Sequence, residues 1–196
     1  MMHFNKENLK LINELPGNET VCKQILELIG NNKTSIKLDK NIKNSYYVFL
    51  NDTIYLSDKE KVNKSYYRIS LVAHECIHSV QNKLLQIINF ILSNIELIVF
   101  AISLILIIFK YNNNTFLYSY FIINILAIIF RLILEIHATI KSIGICEKYM
   151  KNKIEDKKLK DIINAYRSKI ILLFPLFITS LVFGKVLRLL IIYFLI

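Results

Sequence analysis

The chain combines a mixed first part with three long apolar stretches. Residues 1–83 intersperse polar and apolar positions, whereas about residues 85–109, 116–139 and 170–196 are almost continuously apolar. A helix rises about 1.5 Å per residue, so each stretch is long enough to cross a hydrocarbon core of roughly 30 Å. We therefore expect a mainly α fold, with an integral membrane helical bundle of about three spans in residues 84–196 and a small N-terminal α+β cytoplasmic portion.

Shorter patterns predict local elements in the first part. The stretch "NETVCKQILELIG" is typical of a helix that begins near Asn18 and ends at Gly30. Its apolar face should consist of Val21, Ile25, Leu28 and Ile29. The runs "SYYVFL" and "TIYLS" flank Asn51–Asp52 and predict a short hairpin over residues 45–57. Another helix should begin near residues 63–65.

Composition and charge agree with a membrane protein. Hydrophobic residues make up 54% of the chain, and the net charge is +10. Residues 141–169 hold nine Lys or Arg against four acids, whereas "KYNNN" between the first two spans has one Lys. The positive-inside rule makes the first linker external and the basic linker 141–169 cytoplasmic. No basic stretch is interleaved with aromatics like a nucleic-acid groove, so the expected partner is the lipid bilayer and not nucleic acid.

The N-terminus and the cysteines indicate the compartment. The start "MMHFNKENLKLINELPGNE" has no apolar core of signal-peptide type, which predicts a cytoplasmic N-terminus. Cys22, Cys76 and Cys146 are an odd number without paired spacing, so we expect no disulfide framework and a reducing cytosol around the polar parts. The expected location is the cell membrane, with several spans.

The stretch "SLVAHECIHSV" carries the clearest candidate chemistry. His74 and His78 are four residues apart, so a helix places both imidazoles on one face, within reach of one tetrahedral zinc. Glu75 is next to that face and can accept the proton of an attacking water, the general-base arrangement of zinc peptidases. The spacing predicts a catalytic Zn2+ site. The alternative is two core histidines and a surface glutamate.

A catalytic zinc usually has three protein ligands, so a third must come from elsewhere. The stretch "RLILEIHATIKS" offers Glu135 and His137. At about 100° per residue, His137 points about 160° away from Glu135, which lies on a polar stripe. The stripe consists of Asn124, Arg131, Glu135, Ala138 and Ser142. Glu135 is the expected ligand; the alternatives are a plain Glu135–Arg131 ion pair and a three-histidine site that includes His137.

Topology places both parts of this site at one membrane face. The first span begins just after His78, and the second runs back to end near Glu135. A straight hairpin that turns at residues 112–114 would leave His78 about 15 Å from the level of Glu135. We therefore predict a helix break between Gln81 and Gln86.

Polar side chains also recur along the first span. Gln86, Asn89, Ser93 and Glu96 share an arc of about 80°, which predicts that they face the bundle interior. Counted from the turn, Glu96 and Arg131 lie at nearly the same depth. This depth predicts an intramembrane ion pair between them.

These pieces, from about Asn18 to the C-terminus, resemble the YugP-like zinc-dependent membrane peptidases, also called neutral zinc metallopeptidases type 2. The resemblance rests on "DTIYLS", on "SLVAHECIHSVQ", on "LEIHATIKS" and on the final basic linker and span. It implies three zinc ligands, His74, His78 and Glu135. It also implies Glu75 as catalytic base and a break after the zincin-like HExxH helix. More distantly the plan is similar to the HtpX-like and CAAX prenyl proteases, in which Thr139 would stand at the position of an acidic residue that supports a ligand.

The expected function is a membrane zinc metallopeptidase whose active site faces the cytoplasm and whose substrate is a peptide or membrane protein. The hairpin of residues 45–57 offers an edge to which an extended substrate can add a strand, with ordinary packing as its alternative role. Candidate oxyanion donors are Tyr46, Tyr47, Tyr66, Tyr67 and His137. The alternatives are a catalytically silent zinc-binding membrane scaffold or partner-binding protein, and a small transporter or toxin-immunity-like factor in which HECIH is incidental.

Overall fold

The computed structural model describes residues 6–110 and 114–195, and the chain forms two compact units. Unit 1 consists of Met1–Gln81 and His137–Leu172, and unit 2 of Asn82–Ile136 and Leu173–Ile196. Unit 1 therefore takes in residues 137–172, which the sequence analysis assigned to the membrane portion. Residues 111–113, in the predicted turn between the first two spans, lie outside the described residues.

The described residues form seven helices and one sheet of three strands. The helices are α1 (Lys6–Glu14), α2 (Asn18–Leu28), α3 (Glu60–Asn63), α4 (Arg68–Val80), α5 (Lys83–Ile108), α6 (Asn114–Met150) and α7 (Asp156–Leu195). The strands are β1 (Ser35–Asp39), β2 (Tyr46–Val48) and β3 (Thr53–Ser57). Helices α6 and α7 each contribute one part to unit 1 and one part to unit 2.

The sheet of unit 1 has the order β1-β3-β2. The predicted hairpin is confirmed, because β2 pairs antiparallel with β3. Its turn contains Asp52 with a φ of 46°, a left-handed conformation that Asp tolerates. The hydroxyls of Tyr47 and Thr34 donate to Asp52 Oδ1 at 2.8 and 2.9 Å and hold this turn. Strand β1, parallel to β3, was not predicted, although Ile36 and Leu38 alternate with polar residues.

Helix α2 confirms the helix predicted from Asn18 to Gly30, and Gly30 has the positive φ of 73° that is common just after a helix end. The predicted face is partly wrong, since Leu28 is 47% exposed. The buried side chains are Val21, Cys22, Ile25 and Leu26. Helix α2 packs on α4 in the core, and this contact selects a face rotated toward Cys22 and Leu26.

The segment predicted as a basic linker, residues 141–169, is mostly helical and belongs to the core of unit 1. It ends α6, begins α7 and contributes the buried side chains of Cys146, Tyr149, Met150, Ile162, Ile163 and Tyr166. Its lysines lie mainly at exposed positions between these apolar ones. The basic residues of this segment therefore lie on helices that also complete a folded core.

Helix α4 begins at Arg68, later than the predicted start at residues 63–65, because the separate short helix α3 ends at Asn63. Arg68 is only 2% exposed. Its guanidinium donates to the backbone oxygens of Ile12, Leu15 and Pro16 at 2.6–2.8 Å. These oxygens are at the end of α1, where helix carbonyls need partners, so Arg68 ties α1 to α4.

The predicted break after α4 is confirmed. Helix α4 ends at Val80, and Gln81 has an extended backbone with ψ of 158°. Asn82 then caps α5, because its Oδ1 accepts from the amides of Leu84 and Leu85 at 2.8 and 3.3 Å. One helix thus ends at Val80 and the next begins at Lys83.

Two helices, Lys83–Ile108 and Phe116–Met150, are long and apolar enough to cross a membrane. A third candidate exists if Asp156–Leu172 and Phe174–Ser180 count as one broken span, and it overlaps the predicted span 170–196 in part. The break precedes Pro175, which has no amide hydrogen and clashes with the preceding turn. The predicted membrane-type helical fold is thus supported in its coarse form, with two or three candidate spans.

The polar arc of the first span faces inward, as predicted. Gln86 and Glu96 are buried, and Asn89 and Ser93 are half-buried. The predicted Glu96–Arg131 ion pair is wrong. Arg131 pairs with Glu135, one helical turn away, at 2.6 Å.

Within unit 2, the partners of Glu96 come from α6 and α7. Arg188 and Lys185 approach Glu96 Oε2 to 2.7 and 3.2 Å. The Tyr120 hydroxyl and the Asn124 amide donate to Glu96 Oε1 at 3.1 and 3.2 Å. Burial of Glu96 is complete, its charge is balanced by two cations of α7, and α6 adds two neutral hydrogen-bond donors.

Candidate metal centre

Helix α4 presents two imidazoles to each other. The Nε2 atoms of His74 and His78 lie 3.1 Å apart, and the two ring planes are nearly perpendicular at 85°. Both side chains are half-buried, whereas Cys76 and Ile77 between them face the core. The four-residue spacing therefore brings both ring nitrogens to one point, as the sequence predicted.

Glu135 completes a group of three potential metal ligands. One ligand atom each of His74, His78 and Glu135 lies within 4.8 Å of the others. Glu135 is 5% exposed, and its Oε1 also accepts from Arg131 at 2.6 Å. A carboxylate has two oxygens, so the ion pair with Arg131 and membership of this cluster are compatible.

The opposite nitrogens of the two imidazoles also have partners. His78 Nδ1 lies 2.8 Å from Gln81 Oε1, and His74 Nδ1 lies 3.5 Å from Thr139 Oγ1. Both oxygens can accept a hydrogen bond. With protons on the two Nδ1 atoms, each Nε2 keeps a lone pair that can bind a cation.

This donor set fits a zinc ion. Two nitrogen ligands at about 2.0–2.1 Å from a tetrahedral zinc lie about 3.3–3.4 Å apart, close to the 3.1 Å between the two Nε2 atoms. Two facing lone pairs repel each other unless a proton or a cation lies between them. Two imidazoles and a carboxylate with oriented outer nitrogens are a common catalytic zinc set, so the residues can hold the predicted Zn2+.

Glu75 and Cys76, inside the motif, have different environments. Glu75 is half-buried and follows the ligand candidate His74 directly. Cys76 is fully buried, and its Sγ lies 3.5 Å from that of Cys22. This hydrogen bond and burial raise the pKa of the Cys76 thiol well above its ordinary value, which disfavours a thiolate ligand. The three cysteines all lie in the described part of the chain, where each is buried and outside any disulfide.

The candidate oxyanion donors have different surroundings. His137 Nδ1 lies 3.1 Å from Gln81 Nε2, so His137 is brought next to the partner of His78. Tyr66 and Tyr67 pack in the core with Tyr166, and Tyr47 donates to Asp52. Tyr46 is 43% exposed and stacks on Tyr55 of the sheet. Of these candidates, His137 therefore has a contact that connects it to the histidine pair.

Sequence reasoning missed Gln81. The sequence shows only that a glutamine lies three residues after the second histidine, at the predicted helix break. A residue at such a break has a backbone direction that periodicity does not specify. Its side chain therefore could not be assigned to the histidines beforehand.

Comparison with known proteins adds no relative. The chain matches no protein-family model, no curated protein and no solved structure.

Proposed function

We propose that this protein is an integral membrane zinc metallopeptidase with zinc ligands His74, His78 and Glu135. The observation that carries the proposal is the 3.1 Å approach of the two Nε2 atoms, with a carboxylate oxygen of Glu135 in the same group. The resemblance of HECIH and LEIHATIKS to the YugP-like peptidases supports the same assignment. A buried acid within an apolar helix is costly to retain, which favours a functional role for Glu135.

The proposed reaction is hydrolysis of a peptide bond. A bound zinc ion would polarise the scissile carbonyl and activate a water molecule. Glu75 would accept a proton from the attacking water on a carboxylate oxygen and then deliver it to the leaving amine nitrogen. The peptide C–N bond breaks, and the carbonyl carbon gains the water oxygen. Substrate and water together thus supply every atom of the two products.

The proposed substrate is an extended segment of a peptide or membrane protein. Strand β2 is an edge strand of the sheet, and α4 packs against β2 and β3. An extended peptide can add to such an edge through backbone hydrogen bonds. The hairpin thus supports strand addition as the mode of substrate binding.

We further propose that the active site faces the cytoplasm at the cell membrane. Two or three apolar helices support membrane insertion, and the nine basic residues in 141–169 support a cytoplasmic location for this segment. Labelling of single introduced cysteines in intact cells measures this orientation. Protection of residues 151–158 from an impermeant reagent is expected, and their labelling would reverse the topology.

The experiment that tests the function combines metal analysis with peptide cleavage by detergent-purified protein. One zinc per chain and zinc-dependent cleavage are expected. Zinc without cleavage of a broad peptide library would favour the catalytically silent scaffold. Absence of zinc at micromolar concentrations would refute both zinc-based functions.

A further inference from the structure

Gln81 lies where the motif helix ends, and its side chain turns back onto the site. Its backbone is extended, and its backbone N–H donates to the backbone carbonyl of His78 at 3.3 Å. The residue is only 6% exposed. A polar side chain held this deeply needs hydrogen-bond partners, and Gln81 has two imidazoles.

The oxygen and the nitrogen of the Gln81 side-chain amide contact two different histidines. Oε1 lies 2.8 Å from His78 Nδ1, and Nε2 lies 3.1 Å from His137 Nδ1. An amide oxygen only accepts, and an amide NH2 only donates. In this arrangement His78 carries its proton on Nδ1, and His137 accepts with a bare Nδ1. The lone pair of His78 is then on Nε2, toward His74.

We propose that Gln81 is a positioning residue that fixes the tautomer and ring orientation of His78, with His137 holding the amide in the required direction. This inference rests on the zinc site proposed above and adds a named support for one ligand. Outer hydrogen-bond partners of metal-binding histidines set which nitrogen faces the metal. The helix break thus has a chemical consequence, because a continued α4 would give Gln81 another direction.

The two ligand histidines differ in how closely they are supported. Thr139 Oγ1 is 3.5 Å from His74 Nδ1, a longer contact than the 2.8 Å between Gln81 and His78. Hydrogen-bond strength falls with distance, so the support of His78 is the stronger. Loss of the Gln81 amide should therefore weaken metal binding more than the Thr139→Val substitution.

The test measures zinc affinity of the full-length, detergent-purified protein by competition with a chromophoric chelator. Gln81→Met has a similar size but removes the acceptor, whereas Gln81→Glu keeps an acceptor for His78 Nδ1. We expect Gln81→Met to weaken zinc binding by about 10–100-fold and Gln81→Glu to remain within about threefold of wild type. The matched control is Gln24→Met, which removes a unit 1 glutamine that accepts from Tyr149 and Lys153.

The outcomes separate this inference from the proposed function. If wild type binds zinc and Gln81→Met stays within threefold of it, the positioning role is overturned while the zinc site stands. Equal losses for Gln81→Met and Gln81→Glu also overturn it, since rescue by the retained acceptor is then missing. Wild type without zinc refutes the proposed site itself.

A second measurement needs no variant. Long-range proton–nitrogen spectra of wild-type protein labelled at histidine report which ring nitrogen carries the proton. We expect His78 to be protonated at Nδ1 in the zinc-loaded protein and His137 at Nε2. A proton on Nδ1 of His137 would contradict the proposed direction of the Gln81 amide.

Discussion

Arg188 donates two hydrogen bonds to Glu96, from Nε to Oε1 at 2.8 Å and from Nη2 to Oε2 at 2.7 Å. This bidentate pair is made inside unit 2, and Glu96 is completely buried. Removal of Glu96 takes the carboxylate away from Arg188, and removal of Arg188 takes the bidentate partner from Glu96 and leaves it with Lys185 at 3.2 Å. We expect Glu96→Gln and Arg188→Met each to destabilise the protein, with a coupling of about 1–3 kcal/mol in the double mutant.

Unfolding in mixed detergent measures this cycle. The matched control pairs Glu96→Gln with Arg131→Met, because Arg131 bonds to Glu135 instead. Additive effects are expected for that control. Additivity for Glu96 and Arg188 would show that the buried pair does not stabilise unit 2.

Zinc binding should require both imidazoles of α4, those of His74 and His78. Since the two Nε2 atoms are 3.1 Å apart and can both bind one zinc ion, His74→Ala or His78→Ala should each remove stoichiometric zinc. Metal analysis after size-exclusion chromatography measures the zinc bound per chain. Chelator treatment of wild type should be reversible by added zinc. Full zinc content in both variants would place the metal elsewhere.

Glu75→Gln should abolish hydrolysis and leave zinc bound. An amide cannot accept the proton of the attacking water, so cleavage should fall by at least ~10²–10⁴-fold. The control is Glu60→Gln, which changes an exposed glutamate of α3 that pairs with Lys64. Undiminished cleavage by Glu75→Gln would exclude this residue as the general base.

Glu135→Gln and His137→Ala should separate the two candidates for the third ligand. Loss of a carboxylate ligand should weaken zinc binding by more than the about 10–100-fold expected for loss of an outer support. His137→Ala removes one partner of Gln81 and no proposed ligand, so zinc should stay bound, with a loss of affinity no greater than that of Gln81→Met. Zinc retention by Glu135→Gln with zinc loss by His137→Ala would indicate the three-histidine site.

Arg68→Lys should destabilise unit 1 although the charge is kept. A lysine cannot reach all the acceptors that the guanidinium serves at the end of α1, and each buried carbonyl left unpaired costs about 1–3 kcal/mol. Thermal unfolding of metal-free protein measures the loss. Arg167→Lys, at a side chain 54% exposed, is the control and should change stability by less than about 0.5 kcal/mol. Equal losses of stability in the two variants would show that the hydrogen bonds of the Arg68 guanidinium do not stabilise unit 1.

Local periodicity predicted much of the site. The spacing of His74 and His78 determines that their rings share a face, and the angle between Glu135 and His137 on one helix favoured the residue that joins the cluster. The length of the first two apolar stretches predicted two candidate spans, whereas the third candidate overlaps the predicted span 170–196 only in part. The break near Gln81 followed from lengths measured along two helices. The ring face, the angle and the span lengths are each set by residues close together in the chain, whereas the break needed only helix lengths on both sides of one turn.

Tertiary packing decided which partner faces each residue. Periodicity places Glu96 on an inward face, but it does not say that α7 supplies Arg188 and Lys185 instead of Arg131 from α6. The same limit explains the rotated face of α2 and the core role of residues 141–169. The contact between Gln81 and His137 joins residues 56 positions apart across a helix break. Helical angles are local, whereas the choice among neighbouring helices depends on the free energy of the whole packed unit.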